Sequence, residues 1–127
     1  MSYSAFLSTV RERGEYPADE AERIVESVLI TLGRRLPGPS AEHLADQLPM
    51  PLAEILHSAD DTGRSWGVEE FISNVAHHAD EDVETAETDT RVVFSVLSER
   101  VAGGAMNKLL SQLPSGYADL FGYAELT

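Results

Sequence analysis

Apolar residues recur along this chain at spacings of three and four, and nowhere do they alternate in a run bounded by hairpin turns. Tyr3, Phe6, Leu7 and Val10 share one face of an amphipathic helix predicted over residues 3–13, because 3.6 residues per turn aligns such positions. Gly14 ends that helix, and Pro17 keeps the following backbone extended. Asp19 and Glu22 have the spacing of a capping box and suit the positive end of a helix. Ala21, Ile24, Val25, Val28, Leu29, Leu32 and Leu36 then form the longest apolar stripe, expected at the centre of its half. Pro37-Gly38-Pro39 breaks the helix, since proline cannot sit in a helix interior. A short helix over Ala41 to Gln47 buries Leu44 and Leu48 and is stopped by Pro49. Pro51 is pre-set for the first position of a last short helix, whose apolar face is Leu52, Ile55 and Leu56.

The same plan then recurs. Leu44-Ala45-Asp46-Gln47-Leu48-Pro49 returns as Leu109-Leu110-Ser111-Gln112-Leu113-Pro114, an offset of 65 residues. In that register Phe6 pairs with Phe71, Val10 with Val75, Val28 with Val93, Leu32 with Leu97, Arg35 with Arg100 and Gly38 with Gly103. No gap is needed between Phe6 and Phe121. A register held through helices, breaks and turns together reads as an internal duplication. The predicted organisation is one domain over 1–127, with repeats 3–57 and 68–122 joined by a polar connection 58–66. The fold class follows: all-α, an eight-helix orthogonal bundle of two tandem four-helix repeats with approximate two-fold pseudosymmetry.

The halves differ at a few places. Asp89 and Thr90 stand where the first half has Ile24 and Val25, and the run from Asp80 to Asp89 is acidic. The second long helix is therefore expected to fray or sit solvated at its start. Trp66, in the connection, packs between the halves or anchors a partner, as aromatic residues at interfaces do.

Charge narrows the function classes. Nine Lys and Arg stand against 22 Asp and Glu, for a net charge of −13 and a pI near 4.5. Phosphate backbones are held by Lys and Arg, so nucleic acid is an unsuitable partner. An anionic membrane surface is disfavoured in the same way, and no apolar run approaches the ~20 residues of a membrane span. The N-terminus lacks the basic and apolar regions of a signal peptide, so the expected location is cytoplasmic. There is no cysteine, hence neither a disulfide framework nor thiolate chemistry.

Candidate chemistry is sparse. His77-His78 beside Asp80, Glu81 and Asp82 has ligand-type residues, but adjacent histidines point about 100° apart on a helix and do not chelate together. They also pair with Glu12 and Arg13, which reads as a polar face. His57 near Asp60 and Asp61 reads as a helix-end interaction. His43 and Lys108 occupy equivalent, exposed cationic positions. Gln47 and Gln112, before the Leu-Pro corners, are expected to bond backbone groups freed by the break. Arg35 and Arg100 near helix ends read as caps on carbonyls or bridges to a carboxylate, with an anion or partner contact as the other reading. No nucleophile elbow or phosphate-binding glycine loop is present, and no catalytic residue, metal or cofactor is assigned.

With its L-x-x-Q-L-P motif made twice and the helix Val28-Leu29-Ile30-Thr31-Leu32-Gly33-Arg34-Arg35-Leu36 upstream, the chain resembles the bacterial family known as domain of unknown function 2267. The resemblance covers roughly residues 3–122. It implies a small helical protein of two similar halves and supplies no activity. The expected function is a non-enzymatic interaction or adaptor module with a protein partner, acting as monomer or homodimer. The alternatives are a helical bundle that holds a small molecule or cofactor, and an acidic binder of a basic surface. A functional surface is expected where the halves differ: Trp66, His77, His78, Asp80, Glu81 and Asp82.

Leu32→Asp or Leu97→Asp is expected to unfold the protein. Each places an unpaired charge in the shared core, at a cost comparable with the ~5–15 kcal/mol stability of a whole domain. Thermal melts followed by circular dichroism check this; a folded variant with an unchanged Tm would refute the core placement.

Overall fold

A computed structural model describes residues 2–58 and 65–123. The described residues form eight helices and no strand: α1 Tyr3–Gly14, α2 Ala18–Arg35, α3 Gly38–Ala45, α4 Leu52–Ser58, α5 Val68–Ala79, α6 Val83–Arg100, α7 Gly103–Ser111 and α8 Gly116–Leu120. The all-α class is as the periodicity indicates. Helices α5, α6 and α7 each begin 65 residues after α1, α2 and α3. Most of the connection 58–66, and Asp60 and Asp61 with it, lies outside the described residues.

Local chemistry sets the helix ends, and several differ from expectation. Ser2 caps α1, its hydroxyl accepting from the Ala5 N–H at 3.1 Å. The left-handed residue that terminates α1 is Glu15, not Gly14, and Asp80 does the same for α5, with φ of 57° and 56°. Gly14 is needed for another reason: a Cβ there would fall inside the Tyr16 ring. Helix α2 starts at Ala18 behind Pro17, so Asp19 lies within the first turn and makes no capping box. Its carboxylate and that of Glu20 meet the positive helix end instead. Helix α3 starts at Gly38, before the expected Ala41, because Pro39 in the first turn lacks only an N–H that the helix would leave unpaired. The bond between Met50 and Pro51 is cis.

The expected fraying of the second long helix does not occur. Asp82 caps α6 by accepting from the Thr85 N–H at 2.7 Å, and the helix is continuous from Val83. That bond also holds the Asp82 carboxyl below its usual range, because it favours the charged form.

Packing follows from α2, which is buried on more than one side: Ala21, Ile24, Val25, Val28, Leu29 and Leu32 have at most 1% exposure. It touches α1, α4, α5 and α6, while α1 also packs on α6 and α5 on α6. Each first helix thus lies against the long helix of the other half. Val93 and Leu97 of α6 are fully buried with Val28 and Leu32 in one core. The second half fills its part with aromatics. Phe94 stacks on Phe121 with centroids 3.9 Å apart, and Phe71 meets Tyr117 edge-on at 5.6 Å. Arg13 to Glu99 at 2.9 Å and Arg100 to Thr9 at 2.7 Å tie α1 to α6 at the rim. No helix among the described residues is long and apolar enough to cross a membrane.

Gly14→Ala is expected to lower stability by about 1–3 kcal/mol, since the new methyl displaces the Tyr16 ring. The Tyr16 hydroxyl donates to Asp89 at 2.6 Å, so Tyr16→Phe removes part of the same interaction. Urea titration of both single variants and the double variant should give a sub-additive loss; strict additivity would show that the ring is not what the methyl displaces.

Candidate functional site

The surface expected from the differences between halves is not assembled at one place. Trp66 precedes α5, whereas His77 to Asp82 lie at its far end, and α5 spans 12 residues, or about 18 Å. Trp66 is half-buried against the core. Its carbonyl accepts from Arg35 Nε at 2.8 Å and from the Tyr117 hydroxyl at 3.0 Å. Arg35 is itself buried, with its guanidinium carbon 5.5 Å from the centre of the Tyr117 ring. This arginine therefore serves a carbonyl beyond its own helix and fastens the end of α2 to the entry of α5.

At the other end, the residues divide by role. His77 and Asp80 are exposed, and Asp80 takes the left-handed turn. His78 is exposed yet its Nδ1 lies 2.9 Å from the Ser27 hydroxyl of α2, so it is also a link between helices. Asp82 is the α6 cap. Glu81 turns inward. Among the described residues, no three His, Asp or Glu side chains converge on a point suited to a metal ion.

Glu81 belongs to a partly buried acidic cluster, where the sequence suggests a solvated run. Asp89 is 3% exposed, and its Oδ1 accepts the Tyr16 hydroxyl. Asp89 Oδ2 and Glu81 Oε1 are both buried without a donor from another group. Two carboxylates bond each other only when one carries a proton, and a proton on Glu81 would give these oxygens the donor they lack. Burial, the bond to Asp89 and repulsion by its charge push the Glu81 carboxyl up to about 7, with Glu20 adding to this and Arg23 opposing it. Burial and its own bond to Asp89 raise the Tyr16 hydroxyl above its ordinary range. The only sequence signal for this site was the substitution of an acid at a position where the first half has Ile24.

A third feature was visible in sequence only as scattered residues. Helices α3 and α7 flank an open groove of about 270 Å³. Leu44 and Leu109 are its buried floor, and both come from the same position of the two halves. Around them stand the exposed tips of His43, Lys108, Gln47 and Gln112, again in matching pairs, with Ser40 opposite Ala105. Gln47 and Gln112 do not repair the Leu-Pro corners. There the backbone is closed by 3.0–3.1 Å bonds from the N–H groups of residues 47, 48, 112 and 113 to carbonyls three residues back. The amide side chains are left to face the groove. None of the lining residues is acidic, although the chain has 22 acids. Lys108 is its single lysine.

These features define a small all-helical protein with an acidic cluster by the first turns of α6 and a groove without acids between α3 and α7. The chain belongs to the family of uncharacterized conserved proteins DUF2267, whose model matches residues 3–120. A search of curated proteins finds no match to it.

The Glu81–Asp89 pair gives stability a pH dependence of definite sign. A carboxyl raised to about 7 in the folded state, against an unfolded value near 4.5, binds more protons when folded between those limits. Its contribution is therefore full below the unfolded value, falls as pH rises through about 7 and is lost above it. From pH 5.5 to 8 the Tm should drop by roughly 3–6 °C more than in Glu81→Gln, whose amide keeps a donor at every pH. Parallel slopes for the two proteins would refute the shared proton.

Proposed function

We propose that this chain is a soluble, cytoplasmic, non-enzymatic binding module built by duplication of a four-helix unit, and that its binding face is the α3–α7 groove. The observation that carries the reading is the pairing of its lining. Four polar tips from equivalent positions, His43 with Lys108 and Gln47 with Gln112, surround an apolar floor and have no side-chain partner among the described residues. An apolar pocket with a few convergent polar groups is the usual form of a ligand site. Unpaired amides and a lysine at its edge offer donors that the fold itself does not consume.

Size favours a small molecule over the protein partner of an adaptor. A stable protein interface takes about 20–30 residues from each partner, and nine residues line the groove. The differing residues Trp66, His78 and Asp82 are engaged in holding the fold, which weakens them as a partner surface.

Hydrogen exchange of the purified protein, with and without a small-molecule extract of the cells that make it, tests the reading. Amides of residues 38–47 and 103–112 should exchange several-fold more slowly with the extract. Protection confined to residues 77–89, or none at all, would refute the groove as the binding face.

A further inference from the structure

The chemistry of the groove goes further than its existence and names the class of ligand. Acids make up 22 of the 127 residues, and a groove lined by chance would be expected to include one. Glu42 and Asp46, on α3 beside His43 and Gln47, are exposed but do not line the groove. The single lysine of the chain does. A protein of net charge −13 repels anions over most of its surface, so an acid-free patch holding an ammonium with no partner among the described residues is where an anion would approach. The His43 imidazole and the Gln47 and Gln112 amides add neutral donors around that charge. Leu44, Leu109 and Ala105 offer only apolar contact.

Resting on the binding face proposed above, we infer that the groove takes a small carboxylate with a short aliphatic tail. Lys108 holds the carboxylate at the rim, and the tail lies along Leu44 and Leu109. The volume of about 270 Å³ is just below the ~300–1,000 Å³ typical of ligand pockets, which favours a small ligand. A two-fold contact with a second copy on this face is disfavoured, because it would set Lys108 and His43 of one chain against those of the other. An anionic membrane, the other source of such head groups, is repelled by the net charge of the chain.

Titration with octanoate, followed by amide resonances, tests this, with octylammonium and acetate as comparisons. Octanoate should shift residues 38–47 and 103–112 and bind roughly tenfold more tightly than either comparison compound. Lys108→Gln alters an exposed side chain, so the fold should be kept and octanoate binding should weaken roughly three- to tenfold. Equal binding of octylammonium, full binding by Lys108→Gln, or octanoate shifts elsewhere would overturn the assignment. So would co-sedimentation with phosphatidylglycerol vesicles, or a dimer that protects these segments without ligand. If octanoate fails while cell extract still protects both segments, the ligand class alone is wrong; if both fail, the binding face is wrong as well.

Discussion

The structure depends on burying α2. Its apolar and small residues extend around more than one face, from Ala21 through Leu32, so a single neighbouring helix cannot cover it. The rest of the first half supplies α1 and α4, and the second half supplies α5 and α6. This shared burial is why the two halves form one core, in which Val28 and Leu32 are enclosed together with Val93 and Leu97. The polar bonds between helices, His78 to Ser27, Arg35 to the Trp66 carbonyl and Arg100 to Thr9, then fix how the helices meet. Hydrogen bonds of this kind contribute about 1 kcal/mol each, small beside the apolar burial, but they are directional.

Residues 65 positions apart play different parts within that frame. Arg35 and Arg100 both leave the end of a long helix for a partner near the first helix of the other half, yet one finds a carbonyl and the other a hydroxyl. Where the first half has Leu29, Leu52 and Leu56, the second has Phe94, Tyr117 and Phe121, which stack or meet at edges. Ile24 is a plain core residue, while its counterpart Asp89 is buried with Tyr16 and Glu81. A polar group so placed needs every partner it can find, because desolvation is not otherwise repaid. The groove behaves in the opposite manner. It is made where the halves agree, and its pairs of residues become a site only because α3 and α7 come side by side.

Much of this was legible in the sequence, and the reason is that helical signals are local. A 3.6-residue period, proline breaks and an offset of 65 fixed the class and nearly every helix. Gly14 and Asp19 show where local reading stops. Gly14 does close α1, as the sequence implies, but the left-handed residue is Glu15 and the missing side chain leaves room for the Tyr16 ring; Asp19 has the spacing of a cap and lies inside the first turn. The acidic run departs from its local signal for a different cause. Composition places Asp89 in solvent, but the helix it belongs to is held by Asp82 at its cap and by core residues further on, so position 89 is carried inward with its turn.

The sequence by itself determined that the chain is helical, where its breaks fall and which residues form its core, because periodicity and proline act within a few residues. The tertiary structure alone decided that Glu81, Asp89 and Tyr16 share an interior and that His43, Lys108, Gln47 and Gln112 share a groove. Tyr16 and Asp89 are 73 positions apart in the chain, and His43 and Lys108 are 65 apart. Only the crossing of helices from opposite halves sets such distances, and that crossing is settled by how the whole apolar surface of α2 is covered.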